Sequence, residues 1–348
     1  MIFNETPVRT SNNYGINNID LKIDIPNKIE DFSGLTITGD TSNFNISNEA
    51  SCAPLKYGNG KYLENQVFNQ GNQKYKIDEI KSGSLFLDFC INEENPSLVE
   101  NIEINANTKL KTTIIIKYYS DDLEKYYHNG IIRVNAEPNS RTNVVIVNML
   151  NNKSMNFLSI ENSIAENAEV KYTIVDFGGK TSVTNYYSNI FGNKAKADLN
   201  AIYLGTDDQV FDINYIAELF GEKTETNIEV QGALKDIAKK NFKGTIDFKK
   251  GSKKAKGNEN EFCMLLSDKA HSKALPMLLC TEEDVEGNHS SATGKIDDDV
   301  LFYIMSRGIS EKDAMKLIVK SKFNKILETI KDEELKESIL EEIDNRLE

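Results

Sequence analysis

From about residue 100 to 280 the chain is a succession of short runs in which apolar and polar residues alternate: TTIIIKYY, GIIRVNAE, NVVIVNML, NFLSIENSI, EVKYTIVDF, ADLNAIYLG, VFDINYIAELFG, TNIEVQGAL, GTIDFKK and EFCMLL. β-branched and aromatic side chains dominate these runs, and Asn, Gly, Lys and Glu break them, so each reads as a short strand. No amphipathic helical period interrupts them. The breaks themselves recur: EPNSRTN, AENAEVK, GNKAKAD, GEKTETN and KGSKKAKGN, with Asn139, Asn167, Asn193, Glu222 and Gly251 spaced by 28, 26, 29 and 29 residues. A repeat of that length, built of two or three strands and tight turns, predicts a right-handed parallel β-helix whose coils stack inward-facing Val, Ile and Leu. A β-sandwich also gives short alternating strands, but its turn signals come every ~8–12 residues without a longer period.

The first hundred residues are less regular, with strand-like KIDIP, GLTITGD, KYKIDEI and SLFLDF between Asn/Gly-rich joints. After Lys295 the period becomes helical. Asp297 or Asp298 can cap a helix carrying Val300, Leu301, Ile304 and Met305, which Gly308 ends. Ser310 with Asp313 forms an acidic variant of the capping box for a second helix bearing Met315, Ile318, Val319, Ile326 and Leu327. A third begins near Asp332 and sets Leu335, Ile339, Ile343 and Leu347 on one stripe. The fold class is therefore mainly β, a parallel β-helix core with a C-terminal α-helical subdomain. The expected divisions are 1–100, a β-rich region leading into the core; 101–295, the β-helix; and 296–348, the helices.

With 348 residues the chain can bury a core unaided, and a formal charge of −13 disfavours nucleic acid and anionic membrane surfaces as partners. Cys52, Cys90, Cys263 and Cys280 form no CxxC pair, which fits neither a zinc knuckle nor a disulfide framework. The start, MIFNETPVRTSNNYG, lacks a basic and then apolar leader, and no apolar run nears the ~20 residues of a membrane span, so a soluble cytoplasmic protein is expected. GxSxG, HExxH and GxxxxGK[ST] are all absent, so the chain reads as a non-enzyme. A β-helix carbohydrate-active enzyme is a rival reading, and the absence of tryptophan for sugar platforms speaks against it.

Three histidines focus the search for chemistry. His128 in EKYYHNG reads as a turn residue and His271 in SDKAHSKALP as part of a solvated turn. His289, in an acidic and polar loop, has Cys280, Glu282, Glu283, Asp284 and Glu286 within ten residues. An imidazole beside thiolate or carboxylate suits iron. A capping histidine at a strand-to-helix joint fits the same residues. Cys263 and Cys280, in EFCMLL and MLLC, read as buried apolar fillers or as ligands.

The order LLSDKA (265–270), Pro276, EDVEGNH (283–289), Gly294, KIDDD and LFYIMSRGIS (301–310) resembles the SufB/SufD family, scaffold subunits of the SUF iron–sulfur cluster assembly machine. The resemblance implies a β-helix flanked by helices, two such chains joined through their β-helices, and a helical region that docks a SufC-type ATPase. It also implies a nascent iron–sulfur cluster or iron, transient and shared with a partner, at the seam. His289 takes the position of the SufD histidine, with Glu283, Asp284 and Glu286 around it and Cys263 and Cys280 as further candidates. The SufC dock falls on Leu301, Phe302, Ile304, Arg307, Ile309, Met315 and Ile318, unless these pack on the β-helix. Gly287 stands where SufD members often carry a cysteine, Glu261 where SufB carries its essential one, and an N-terminal cysteine cluster is absent. The closer likeness is to SufD, pairing with a SufB-like chain or, in a reduced system, with itself.

Overall fold

The structure, a computed structural model, describes residues 1–22 and 25–348. The strand expected at KIDIP falls in part, at residues 23 and 24, outside the described residues. In chain order the first strands are β1 (Ile2–Phe3), β2 (Ile19–Asp20), β3 (Leu35–Gly39), β4 (Phe44–Ser47), β5 (Gln73–Glu79), β6 (Ser84–Ile91) and β7 (Ser97–Ala106). Then follow β8 (Thr112–Ser120), β9 (Tyr127–Ala136), β10 (Arg141–Met149), β11 (Met155–Ile164), β12 (Glu169–Asp176), β13 (Thr181–Ile190) and β14 (Lys196–Gly205). The last are β15 (Val210–Leu219), β16 (Glu225–Leu234), β17 (Lys239–Phe248), β18 (Ala255–Leu265), β19 (His271–Cys280) and β20 (Val285–Lys295). Four helices complete the chain: α1 (Lys61–Gln70), α2 (Asp298–Met305), α3 (Glu311–Leu327) and α4 (Glu333–Arg346).

Even-numbered strands β6 to β20 build one parallel sheet and odd-numbered strands β5 to β19 the other, closed at the far end by the antiparallel strands β3 and β4. Each coil is thus two strands and two turns, a parallel β-solenoid. Corresponding residues of successive coils lie in register, so one inward column of the even sheet runs Ile114, Val144, Tyr172, Leu199, Ile228. A neighbouring column runs Ile116, Ile146, Ile174, Ala201, Val230. Like side chains stack on like at strand spacing through the interior, which is why the apolar pattern repeats once per coil.

Both outer faces are covered as well. Val319, Phe323, Ile326 and Leu327 of α3 and Leu335, Ile339 and Ile343 of α4 bury the outer face of the even sheet over Val147, Val175, Phe177, Ile202 and Leu204. Arg346 fixes α4 to the solenoid by donating to the Leu150 carbonyl at 3.0 Å and to Asn152 Oδ1 at 2.7 Å. The N-terminal segment and α1 lay Phe3, Leu55, Leu63 and Val67 over Tyr127, Ile131, Phe157 and Val183 of the odd sheet. Burial on two faces turns alternation into near-continuous apolar runs such as GIIRV and NVVIV.

The two helix caps read in the sequence are present, Asp297 Oδ1 accepting from the Asp299 amide at 2.9 Å and Ser310 Oγ from Asp313 at 3.1 Å, and Asp332, near which the third helix was expected to begin, caps it by accepting from Leu335 at 2.8 Å. Other expectations are corrected. His128 is no turn residue but lies fully buried inside β9, with Nδ1 2.6 Å from Asn156 Oδ1. Residues 285–295, read as loop, form β20, because β18 offers them a complete parallel ladder. His289 therefore sits in mid-strand and caps no helix.

Candidate functional site at the open end of the solenoid

β19 and β20 are the terminal strands of their sheets, ten and eleven residues long, each with one hydrogen-bonding edge unpaired. Long free edges are templates for another chain. Pro276, which lacks an amide donor, stands in one of them, where a terminal strand accommodates it.

The chemistry of the interior changes at this end. The column Ile114 to Ile228 continues as Glu259 and His289, and the column Ile116 to Val230 continues as Glu261 and Ser291. A third runs Tyr118, Asn148, Asp176, Tyr203, Gly232, Cys263, Thr293. From the facing sheet, Lys240 is followed by Ser272, and Phe248 by Cys280. In the first two columns the last coils thus replace aliphatic filling with ionisable or polar groups, whereas the third already carries Asn148 and Asp176 in mid-solenoid.

Beneath the mouth these groups form a buried network. Lys240 Nζ donates to Glu261 Oε1 at 2.7 Å, with both side chains fully buried. Tyr203 donates to the same oxygen at 3.0 Å, and Ser291 Oγ reaches Glu261 Oε2 at 2.8 Å. Tyr203 lies flat across Gly232, where a Cβ would stand 1.8 Å from the ring. The network ends at the rim, where the hydroxyls of Ser272 and Thr293 are 3.1 Å apart. Glu259 is different: it is fully buried against Gly244, and neither carboxylate oxygen has a partner. Burial, reinforced by the charge of Glu261, pushes its pKa up to about 8, so it is held largely as the neutral acid. Burial likewise raises the Cys263 thiol, opposed in part by Lys240, and so disfavours the reactive thiolate.

The SufBD core domain of the SUF system for FeS cluster assembly matches residues 89–322, from β6 in the first parallel coil into α3. The chain belongs to the SufBD core family. It is 30% identical to the SufD iron-sulfur cluster assembly protein of Bacillus subtilis over 138 residues, which is 40% of this chain and 32% of that protein. A SufBD family protein of Pyrococcus horikoshii is 34% identical over 170 residues, 48% of this chain and 37% of the relative. SufD of Escherichia coli is 23% identical over 237 residues, covering 68% and 56%. The chain thus spans about a third of the length of the first two relatives. It is a SufD-like member of the family, and no helix among the described residues is long and apolar enough to cross a membrane.

The open end gathers some of this SufBD chain's candidate residues and separates others. His289 and Cys280 both lie on the inward face of the last coil, and both are exposed because no further coil covers them. Cys280, read as buried, is accordingly corrected: its thiol donates to the Glu282 carbonyl at 2.9 Å at the surface. Cys263 is buried one coil below. Glu286 is three residues from His289 and therefore on the opposite face of β20, where it pairs with Lys256 at 3.0 Å. Glu283 and Asp284 lie exposed in the preceding turn. His271, expected in a solvated turn, is exposed as the first residue of β19. Among the described residues no three His, Cys, Asp or Glu side chains converge as a metal-binding group. Sequence reasoning passed over Lys240, Tyr203 and Glu259; the available signal was acids alternating at 259 and 261 where a buried strand should carry aliphatics.

The helical candidates divide similarly. α2 buries none of its residues, leaving Phe302 72% and Tyr303 59% exposed, with Val300 beside them. Arg307 lies over the Tyr303 ring at 4.8 Å and donates to its hydroxyl at 2.6 Å. Ile309 and Leu317 are further exposed apolar residues of the helical region. Leu301, Ile304 and Met315 are half-buried, and Ile318 packs toward the sheet. Tyr303 and Leu317 were not among the residues read from the sequence.

Proposed function

We propose that this chain is a non-catalytic scaffold of iron–sulfur cluster assembly that pairs end-on, through β19 and β20, with a SufB-like chain. The observation that carries the reading is the change of the inward columns from aliphatic to ionisable residues on the coils nearest a long unpaired edge. Packing alone would favour continuing Ile and Val there, and burying Glu259 without a partner is costly. A donor set that is incomplete in one chain suits a nascent cluster, or iron, handled as cargo at a seam that a partner completes. In this reading His289 is the imidazole ligand or proton carrier at the seam, Cys280 a second donor on the same coil, and Lys240 and Glu261 the charged floor beneath.

The exposed face of α2, with Ile309 and Met315, is the dock for a SufC-type ATPase. Nucleotide-driven movement of that ATPase can shift the seam if its two states bind the scaffold differently. In this reading the division at about residue 295 separates these two tasks.

The test is anaerobic reconstitution of the chain with a SufB-like partner. Wild type should retain iron and sulfide that His289→Ala loses, at equal complex yield by gel filtration. Equal iron and sulfide in both would remove His289 from the mechanism. A complex containing two copies of this chain and no SufB-like chain would reassign the seam to a homodimer.

A further inference from the structure

One edge of the solenoid is a stack of identical turns, each with a residue in the left-handed region. Its members are Asn139, Asn167, Lys194, Lys223 and Lys254, with φ of 67°, 55°, 59°, 56° and 59°. Each of these amides donates to a carbonyl of the next turn, to Glu166 at 2.9 Å, Asn193 at 2.9 Å, Glu222 at 2.8 Å, Lys253 at 2.8 Å and Asp284 at 2.6 Å, so the turns are locked in register. The opposite edge places Asp207 and Asp236 in the same conformation. Asn and Asp are the ordinary non-glycine choices there, because their short polar side chains tolerate the left-handed region; lysine has no such advantage.

Three consecutive lysines at these positions are therefore unexplained by backbone need, and they also place like charges about 5 Å apart per coil. The column two residues further on behaves as electrostatics requires. Arg141, Glu169, Lys196, Glu225, Lys256 and Glu286 alternate in sign, and Lys196–Glu225 and Lys256–Glu286 close at 2.6 Å and 3.0 Å. Among the described residues Lys194, Lys223 and Lys254 are all exposed, and they take part in none of the ion pairs within 4.0 Å.

We propose that the Lys194–Lys223–Lys254 row is a docking strip for a short acidic segment of a partner protein. The chain's charge of −13 repels long polyanions and anionic membranes, which need extended basic surface. The row is also bounded, by uncharged Asn167 in the coil before and by Glu282, Glu283 and Asp284 in the turn after; with Lys253 beside Lys254 offsetting exposed Glu222 beside Lys223, it offers about 10 Å of net positive edge. A few carboxylates spaced along a peptide match that length. The strip is independent of the seam reading.

The experiment measures binding of fluorescent hexaglutamate to the full chain by anisotropy, at low and at physiological salt. Wild type should bind with salt-sensitive affinity, and the triple variant Lys194→Asn, Lys223→Asn, Lys254→Asn should lose at least tenfold. Its unfolding midpoint should hold or rise, since Asn suits these turns better, so loss of binding cannot be loss of fold. A control, Lys109→Asn, Lys125→Asn, Lys269→Asn, makes the same change in net charge at exposed lysines elsewhere and should bind as wild type does. Equal loss in the control, absence of binding at low salt, or tighter binding of polyphosphate or phosphatidylserine vesicles than of hexaglutamate would each overturn the proposal. If the triple variant aggregates, Lys223→Asn alone should still weaken binding about threefold, and unchanged affinity there would overturn it too.

Discussion

His289 and Glu259 are register partners on the last two strands of the even sheet, one exposed at the mouth and the other fully buried beneath it. Parallel strands in register send partner side chains to the same side. The imidazole thus shares its column with a carboxyl that has no hydrogen-bond partner.

That carboxyl makes stability pH-dependent in a definite direction. Unfolded, Glu259 titrates near the ordinary ~4.3, and folded at about 8, so between these values the native state holds a proton that the unfolded chain has lost. Its contribution is fully present below the lower value and is lost as pH rises to the upper, by about 1.4 kcal/mol per pH unit. Glu259→Gln should remove this slope, so denaturant unfolding should find the variant level with wild type near pH 4 and more stable at pH 8. Parallel curves for the two proteins would show that the acid titrates normally.

The buried pair beside it should respond asymmetrically to mutation. Lys240→Met leaves the Glu261 carboxylate buried without its cation and should cost about 3–5 kcal/mol, while Lys240→Met with Glu261→Leu should recover most of that. Urea unfolding of the two variants measures the difference. A double variant no better than the single would mean that the pair is worth more than its desolvation.

Phe323 is 1% exposed and stacks on Phe177 with ring centroids 6.3 Å apart. Phe323→Ala should therefore destabilise the protein by about 3–5 kcal/mol in chemical denaturation. A loss under 1 kcal/mol would show that α3 is not held by the sheet.

On α2 the expectation is opposite. Phe302→Asp with Tyr303→Asp alters exposed side chains only, so the unfolding midpoint should stay put while co-purification with a SufC-type ATPase is abolished. Retention of the ATPase by the folded variant would move the dock off this helix.

Some polar strands were hidden from pattern reading for one physical reason. TSVTNYYSNI carries too many Ser, Thr and Asn to read as core, yet it is β13, and Ser182, Thr184, Asn185 and Ser188 are buried. Their partners come largely from other coils: Asn156 donates to Ser182 Oγ at 2.8 Å, Asn162 to Ser188 Oγ at 3.1 Å, and the Asn185 amide donates to Asn4 Oδ1 at 2.9 Å across 181 residues. The same holds for His128, buried among Asn156, Glu100 and the Tyr118 ring, 4.2 Å away. Hydropathy records what a side chain prefers by itself. Burial of a polar one depends on partners that only folding supplies.

The amino-acid order alone determined the coil and its length, because in-register stacking makes each coil repeat the apolar positions of the one below and writes a period of nearly thirty residues into the chain. It also determined the helix caps, which depend on contacts within four residues, and the family likeness around His289. Tertiary structure decided which end stays open, that Glu259 and Lys240 face inward beneath it, that Glu286 turns away from His289, and that α2 alone of the last three helices buries nothing. Those facts follow from which strands meet and which edges remain free, and such pairing is settled only between residues far apart along the backbone.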